Sequence, residues 1–407
     1  MRRRSPLGLL IMVTAIAPAA LHMLVPSLPR LASVFAAPPA NVQFVLTLFL
    51  AGIAAGQLLY GPLSDRFGRR PMLIAGLVLF LIGTILCGLA WSLPALIIGR
   101  LLEAGGGCAG MVLGRAIVRD LYDRERSARA LAMIMMAMSL APSISPAIGA
   151  YLTEWLGWRA NFALLGAAGA TVLALVVGKL EETHLHPASV NFAGMARSFV
   201  LLLRSPVFLA FALATAFTSA SWFTFLASAP YLLSEVLHKP PSTYGLMILM
   251  PMIAYMLGNA GVGRLSIALG SARVFTLGLA LSLFSGVILA VWCFVGLTPW
   301  AMFVPMAVSS IGNGLSQPPG IAAGLSIYPR IAGAASGLLG FLQMMVAALG
   351  ALLIGEIPQG TAVPMVSVVG AALALAFIFG LVASMLSSDG VASADTAQLR
   401  AGAVRAE

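Results

Sequence analysis

The sequence predicts an all-α membrane protein with twelve transmembrane helices, and three observations carry this prediction. Hydrophobic residues make up 60% of the chain and charged residues only 9%, whereas globular domains carry about 25% charged residues. The 407 residues leave room for roughly twelve spans, since about 20 residues cross a hydrocarbon core. Lys and Arg recur between apolar runs rather than in one stripe. The net charge of +10 therefore indicates membrane topology and no nucleic-acid partner.

The first apolar run begins behind Arg2, Arg3 and Arg4, the arrangement also found in signal peptides. The apolar core of a cleavable signal peptide is about 7 to 15 residues long. The run from Leu7 to Leu28 is longer and is interrupted only by His22 and a few small polar residues or prolines. We therefore expect a retained first transmembrane helix.

Apolar runs between charge and turn signals predict the complete set of spans. They lie near residues 7–29, 42–60, 71–90, 95–117, 131–152, 160–178, 206–229, 243–262, 274–296, 299–322, 333–355 and 362–386. An even number of spans places both termini on one side. That side receives 19 of the 23 Lys and Arg residues, the opposite side receives three, and Arg100 lies within a span. The asymmetry predicts cytoplasmic termini.

The longest polar interruption divides the chain into two groups of six spans. We expect an N-terminal lobe over 1–178, a cytoplasmic linker over 179–205, a C-terminal lobe over 206–388 and a cytoplasmic tail over 389–407. A short pattern after the second span recurs after the eighth with the same spacing. Its residues are Gly61, Leu63, Ser64 and Gly68 in the first half and Gly263, Leu265, Ser266 and Gly270 in the second. The recurrence predicts a parallel repeat.

The segment after the second span reads Gly61-Pro62-Leu63-Ser64-Asp65-Arg66-Phe67-Gly68-Arg69-Arg70. Its two glycines permit a tight reversal at the membrane surface, and its three arginines anchor it in the cytoplasm. Asp65 can pair with a cation or with a helix N-terminus. The segment resembles the signature loop of the major facilitator superfamily. That resemblance implies the major facilitator fold of two pseudo-symmetric six-helix lobes, with Gly61, Asp65, Arg66, Gly68, Arg69 and Arg70 forming a conformational gate.

Further segments narrow the resemblance. They are Arg100-Leu101-Leu102-Glu103-Ala104-Gly105, Val118-Arg119-Asp120-Leu121-Tyr122, Ala141-Pro142 with Pro146 and Gly149-Ala150, and Leu156-Gly157-Trp158-Arg159. Together they resemble the drug:proton antiporters of the Bcr/CflA type, which include chloramphenicol and florfenicol exporters. The resemblance implies efflux of amphipathic drugs in exchange for protons, by a monomer without a cofactor in the bacterial inner membrane. It also adds Pro142, Pro146 and Gly149 to the gate.

The sequence departs from this family at two positions. The family's first helix usually carries an Asp in an Asp-x-x-x-Pro context, where this chain has His22 before Pro26. Its fourth helix usually has Gln three residues after the Arg, where this chain has Glu103. Ionisable residues at membrane depth are functional by default, so we predict that Glu103, Arg100 and His22 couple transport to protons. A static Arg100–Glu103 pair and a neutral hydrogen-bonding His22 are the alternatives.

Polar and aromatic side chains within the spans are candidate substrate contacts, with ordinary packing as the alternative for each. The candidates are His22, Gln43, Glu103, Trp222, Phe223, Tyr255, Asn259, Asn313, Gln317 and Gln343. Asn313 and the run Gln317-Pro318-Pro319-Gly320 are predicted to interrupt the tenth span, as in transporter sites with broken helices, or to mark its end.

Several function classes lack their motifs. There is no Gly-x-x-x-x-Gly-Lys-Ser/Thr loop, no His-Glu-x-x-His and no Gly-x-Ser-x-Gly, so ATP-driven transport, metalloprotease and esterase activities have no support. The three cysteines fall within apolar segments and predict neither a disulfide framework nor a metal site. A transporter of an endogenous metabolite on the same fold is the alternative function, because fold does not determine substrate. A membrane sensor or enzyme ranks third.

Overall fold

A computed structural model describes residues 7–122, 124–184, 192–357 and 360–404. Twelve long helices dominate this part of the chain. They are α1 Leu7–Met23, α2 Pro39–Phe67, α3 Arg69–Gly88, α4 Leu93–Leu121, α5 Arg124–Trp155, α6 Arg159–Lys179, α7 Pro206–Tyr231, α8 Leu249–Leu269, α9 Ser271–Val295, α10 Pro299–Ser326, α11 Ala332–Glu356 and α12 Val363–Val404.

The predicted spans agree with these helices to within a few residues at most ends. Within the described residues, eleven helical segments are long and apolar enough to cross a membrane. The one long helix that is not among these eleven is α10. It has 28 residues, but polar side chains lower its hydropathy. These are Ser309, Ser310, Asn313, Ser316 and Gln317. Contacts with α7, α8, α9 and α11 keep α10 inside the bundle, where a polar face does not meet lipid.

Close helix contacts establish the direction of the spans. Gly107 and Gly110 of α4 lie against Ala17 and Val13 of α1, in reversed order, so these helices are antiparallel. Gly52 and Gly56 of α2 lie against Ala104 and Cys108 of α4 in the same order, so that pair is parallel. The helices thus alternate in direction. We call the side where α1 begins the termini side, and the side where α2 begins the far side.

The structure adds helical detail to three predicted segments. The first span is broken, because a 3₁₀ turn at Val25–Ser27 and a short helix at Leu28–Val34 follow α1. The predicted linker contains a helix at Phe192–Leu203, while residues 185–191 lie outside the described residues. The last helix continues to Val404, through most of the predicted tail. The division into two lobes, a linker and a tail stays a prediction.

The predicted reversal at Gly61 is wrong, because α2 continues through Gly61 and Pro62 and ends at Phe67. Membrane helices tolerate such residues because neighbouring groups satisfy the freed backbone. The chain turns at Gly68 alone, with φ of +94°, a conformation that glycine adopts without steric cost. Gly270 makes the same turn with φ of +84°. The sequence repeat therefore corresponds to one backbone turn that occurs in both halves.

The predicted interruption of the tenth span is also wrong. Pro318 and Pro319 lie inside the continuous helix α10, and the helix ends only at Ser326. Close neighbours surround this segment, since a Cβ at Gly320 would meet Phe275 of α9 and Thr215 of α7. Packing against these helices holds the prolines within a regular helix.

The two halves of the chain meet on the far side and along the α2–α11 helix pair. The Gln43 Nε2 atom of α2 donates to the Ala227 carbonyl of α7 at 2.9 Å. The Tyr231 hydroxyl donates to the Leu28 carbonyl at 3.4 Å. A Cβ at Gly245, in the short helix Pro241–Met247, would touch α5 at Ala147. Helices α2 and α11 also touch nearer the termini side, where Gln57 lies against Gly340.

Candidate functional site

A buried ion pair lies within α4. The Arg100 Nη1 atom lies 2.6 Å from the Glu103 Oε2 atom, and the side chains are 1% and 0% exposed. Residues three apart share one helix face, which explains how a single helix places both groups together. The predicted meeting of Arg100 and Glu103 is therefore confirmed, and its role in proton coupling stays a prediction.

Neighbouring helices hold the two partners in different directions. Thr84 of α3 donates to the Glu103 Oε1 atom at 3.0 Å. Arg100 donates to the Ala20 carbonyl of α1 at 3.3 Å, and its Cζ atom lies 3.9 Å from the centre of the Phe49 ring. The arginine therefore faces α1 and α2, whereas the shorter Glu103 side chain turns toward Thr84 of α3.

His22 lies where the two halves meet. Its side chain is buried, and its Nδ1 atom lies 2.9 Å from the Pro18 carbonyl. Its ring centre lies 6.2 Å from that of Phe223 of α7. His22 therefore contacts a predicted substrate residue of the other half. Glu103 instead contacts Thr84 of α3 and is linked to α1 through Arg100.

Amide side chains form two groups. Gln43 joins α2 to α7 as described, and its Oε1 atom is buried without a hydrogen-bond partner among the described residues. In the second half, Gln343 of α11 donates to the Gln317 Oε1 atom at 3.0 Å. Gln317 in turn donates to the Thr215 carbonyl of α7 at 3.0 Å. The structure thus joins Gln317 to Gln343 and places Gln43 at the seam between halves.

Two threonines beside Gln43 escaped sequence reasoning. The Thr47 and Thr224 hydroxyls are buried and have no hydrogen-bond partner within the described chain. Thr47 follows Gln43 by one helical turn on α2. Thr224 precedes Ala227 by one turn on the antiparallel helix α7, which places it at about the level of Thr47. The four-residue spacing from Gln43 to Thr47 on α2 could have indicated Thr47 from the sequence. The position of Thr224 beside them depends on how α7 packs against α2, which the sequence does not show.

The remaining substrate candidates have other neighbours. Trp222 packs on Phe225 at a ring-centre distance of 6.1 Å. The backbones of Tyr255 and Asn259 on α8 approach Gly314 of α10 closely. Both side chains are partly exposed. Asn313 is partly buried, and its Oδ1 atom has no partner within the described residues.

The signature segment forms a charged cluster at the termini side. Arg69 pairs with Asp65 at 2.7 Å and with Asp120 of α4 at 3.1 Å, and it also donates to the Ser64 hydroxyl. The predicted pairing of Asp65 with a cation is confirmed. These contacts bind the turn at Gly68 to the end of α4.

Arg66 and Arg70 make separate contacts beside this cluster. The Arg66 Cζ atom lies 5.1 Å from the centre of the Phe67 ring. Arg70 donates from Nη2 to the Val177 carbonyl of α6 at 2.8 Å. The second contact attaches the beginning of α3 to the end of α6.

Glu182, which follows α6, caps the start of α3. Its carboxylate accepts the backbone N–H groups of Arg69 at 2.9 Å and Arg70 at 3.1 Å. Burial alone would raise the pKa of Glu182, but the backbone donors of His184, Arg69, Arg70 and Thr183 hold that pKa below its usual value. Sequence reasoning assigned Glu182 only to a linker, because the partner helix is far away in sequence.

The predicted gate residues of α5 lie between the two halves. Pro142 and Pro146 are inside the helix. A Cβ at Gly149 would collide with the Met23 carbonyl of α1, and one at Gly245 would approach the Pro146 carbonyl at 3.3 Å. Helix α5 therefore contacts its own half at Gly149 and the other half at Pro146.

Comparisons with known proteins agree with this architecture. The family model described as Major Facilitator Superfamily matches residues 10–351. A bicyclomycin resistance protein homolog of Haemophilus influenzae is 27% identical over 91% of this chain and 93% of its own length. A chloramphenicol resistance protein of Pseudomonas aeruginosa is 29% identical, covering 85% and 83%. Multidrug resistance protein D of Escherichia coli is 27% identical, covering 88% and 91%.

Solved structures share the fold. A crystal structure of a D-xylose-proton symporter superposes with a TM-score of 0.76 at 15% identity, over 93% of this chain and 95% of that one. A bacterial homolog of the human lysosomal transporter Spinster, in an inward-facing and occupied conformation, gives a TM-score of 0.71 at 16% identity, over 94% and 98%. At these identities the likeness concerns the fold alone.

Proposed function

Because the chain belongs to the major facilitator superfamily and is a membrane transporter rather than an enzyme, we propose that it exports amphipathic drug-like molecules in exchange for protons. The names of the resistance proteins to which it is similar support this substrate class. The asymmetry of Lys and Arg supports a bacterial inner membrane with both termini in the cytoplasm. We take the transporting unit to be a monomer of two lobes that open alternately on the two sides.

The buried Arg100–Glu103 pair is the observation that carries the proton-coupling proposal. An ionised Glu at membrane depth costs about 2.5 to 3.5 kcal/mol on insertion scales, so its retention in a closed lobe indicates a use. Protonation of Glu103 removes the charge that holds Arg100. Because Arg100 also contacts α1 at Ala20 and α2 at Phe49, its release shifts the population of arrangements of these helices.

The driving force is sufficient for such a cycle. One charge crossing about 100 mV releases about 2.3 kcal/mol. That free energy corresponds to a drug gradient of roughly fiftyfold.

His22, Gln43 and Phe223 are the substrate contacts that the geometry supports best, because they lie where the halves meet. Glu103 is held by Arg100 and Thr84 within the first half, so we assign it to proton coupling first and to substrate contact second. The second amide group and its neighbours form a further candidate surface in the other half; these are Trp222, Tyr255, Asn259, Asn313, Gln317 and Gln343.

Two sets of residues are proposed to control opening. The signature segment ties α2, α3 and α4 together at the termini side, where Asp65, Arg69 and Asp120 pair. Helix α5 can change its contact with the other half at Pro146.

The proposal is tested by efflux of phenicols and lipophilic cations from cells expressing the wild type, Glu103→Gln or Glu154→Gln, with and without a protonophore. Glu154 is exposed near the far-side end of α5, so Glu154→Gln makes the same chemical change without disturbing a buried pair. We expect protonophore-sensitive efflux that is lost in Glu103→Gln and kept in Glu154→Gln.

Other outcomes have distinct meanings. Efflux unchanged in Glu103→Gln would remove that residue from the coupling mechanism and leave His22 as the candidate. Absence of efflux of any compound by the wild type would favour transport of a metabolite instead.

A further inference from the structure

The helix at Phe192–Leu203, which we call the linker helix, packs on the termini side of the second half. Its Leu202 side chain is buried in a cluster with Leu338 of α11, and Phe199 packs against the same cluster. Only two residues separate the linker helix from α7, which begins at Pro206. The linker helix therefore ends where a transmembrane helix begins, at the boundary of the bilayer.

The outer side of the linker helix is aliphatic. Val200, Leu201 and Leu203 are 48%, 47% and 45% exposed. Aliphatic surface leaves water wherever an apolar phase is within reach, and a group of such side chains marks a contact with a partner or a membrane. Because α7 enters the bilayer next to these residues, lipid is the apolar phase that can cover them.

Two arginines share this outer side. Arg197 and Arg204 are exposed and lie seven residues apart, so they stand on one helix face. Val200 lies between them on the same face, three residues from the first and four from the second. Helices that combine basic and aliphatic side chains in this way lie in the plane of the membrane interface. Long arginine side chains can then reach the headgroups while the aliphatic ones meet the acyl chains.

Further exposed cations surround the linker helix and the neighbouring helix ends. Arg330 lies nearby, because its neighbour Ile331 packs against the same buried cluster as Phe199. Arg264 near the end of α8 and Arg273 near the start of α9 are exposed on the same side of the bundle. This side of the second half therefore presents a positive surface.

The sequence supplies these cations with few acidic neighbours. Among residues 183–388 only Glu235 and Glu356 are acidic, and they follow α7 and end α11 on the far side. In the first half, by contrast, Arg69 pairs with Asp65 and Asp120. Membrane topology calls for cations in both halves, but it does not call for an aliphatic helix beside them. An anion that carries a hydrocarbon chain matches both features of the second half.

We propose that the linker helix binds an anionic phospholipid of the phosphatidylglycerol type in the leaflet on the termini side. The phosphate meets the guanidinium groups of Arg197 and Arg204, which suit phosphate oxygens, and the acyl chains cover the aliphatic side chains beside them. Basic residues next to a transmembrane helix attract anionic lipids in this way. The connection between the halves is then attached at both ends, to α3 through Glu182 and to lipid through the linker helix.

Binding is tested with the purified full chain in detergent, titrated with phosphatidylglycerol or with phosphatidylcholine of the same acyl chains. Native mass spectrometry gives the affinity for the first bound lipid, which should be higher for phosphatidylglycerol. The double variant Arg197→Gln/Arg204→Gln should weaken that affinity by about thirtyfold, since each charge near an anionic headgroup contributes about fivefold. Affinity for phosphatidylcholine should stay the same.

The matched control removes two exposed cations from the termini side of the first half, Arg129 and Lys179. Arg129→Gln/Lys179→Gln should keep the affinity for phosphatidylglycerol. Equal affinity for the two lipids in the wild type would overturn the proposed site. Equal losses in the two double variants would also overturn it, because general attraction of cations to the headgroups would then explain the binding.

The position of the linker helix is tested in nanodiscs that contain phosphatidylglycerol and phosphatidylcholine. Single nitroxide labels are placed at Val200, Leu201 or Leu203 in a Cys293→Ser variant, because the other two cysteines are buried. Collisions with oxygen, which is enriched in the bilayer, are compared with collisions with a water-soluble nickel complex. Oxygen should dominate at one or more of the three positions. Dominance of the nickel complex at all three would overturn the lipid site. Failure of drug efflux would affect neither measurement.

Discussion

The Glu182 carboxylate accepts the backbone N–H of Arg69 at 2.9 Å, although the two residues belong to segments far apart in sequence. Arg69 begins α3 and pairs with Asp65 and Asp120. The segment that follows α6 therefore contacts the turn at Gly68, where Arg69, Asp65 and Asp120 pair. A negative charge at a helix N-terminus is stabilising, so movement of the connection is coupled to the stability of this turn.

Removal of this cap should destabilise the protein in a pH-dependent way. Glu182→Ala should lower the free energy of unfolding by about 1 kcal/mol, as for other lost caps. The pKa of Glu182 is lowered in the folded protein. Its contribution is therefore present above the ordinary Glu pKa and is lost as pH falls through the lower folded value. Thermal unfolding in detergent between neutral and acidic pH should show the two proteins converging at low pH, with Glu154→Ala as the control. A constant difference at all pH values would contradict the capping role.

Loss of one member of the buried ion pair should be far more costly than loss of both. Arg100→Gln leaves Glu103 buried and unpaired, which should cost about 3 to 5 kcal/mol in the free energy of unfolding. Adding Glu103→Gln should recover much of that loss, since no charge then remains in the lobe. Denaturant unfolding of the two single variants and the double variant gives the coupling energy directly. Strict additivity would mean that the two groups do not depend on each other.

Substitution of the unpaired Thr47 and Thr224 hydroxyls should affect drug efflux without lowering the free energy of unfolding. Thr47→Val and Thr224→Val replace a hydroxyl without a partner by a methyl group, so the free energy of unfolding should stay equal or rise. Drug efflux should fall if these groups bind substrate. Thr84→Val is the matched control, because the Thr84 hydroxyl bonds to Phe80 and Glu103 and its loss should destabilise. Destabilisation by all three variants would show that the seam hydroxyls are paired.

Helix α5 should be unable to keep its position if a side chain is added at Gly149. A Cβ at this position collides with the Met23 carbonyl, and such overpacking costs about 1 to 3 kcal/mol. Gly149→Ala should therefore lower both thermal stability and efflux. Gly178→Ala is the control, because a Cβ there meets nothing within 4 Å. Equal behaviour of the two variants would exclude close packing of α1 and α5 at Gly149.

The sequence was informative where a local property determines structure. Apolar runs located the helices because a span must satisfy its own backbone in lipid. Gly61 and the Pro318-Pro319 pair were misleading because turn signals from aqueous proteins do not end a helix that neighbours support. The side from which Glu103 is contacted and the position of Thr224 depend on packing between helices, which no single segment encodes. Glu182 required knowledge of which helix start lies beside the connection.

The two turns at Gly68 and Gly270 share a backbone but differ in chemistry. In the first, Ser64 donates to the Gly61 carbonyl at 2.7 Å and accepts a contact from Arg69. In the second, the Ser266 hydroxyl has no partner among the described residues, and Ile267 and Ser271 stand where the first half has Asp65 and Arg69. Mobile ions weaken exposed charge pairs. Ionic strength should therefore weaken the pairs of Arg69 at the first turn, and no such pair stands at the matching positions of the second turn. The molecule thus contains two turns of the same shape, of which the first is held by charge pairs and the second has an aliphatic and a hydroxyl side chain at the matching positions.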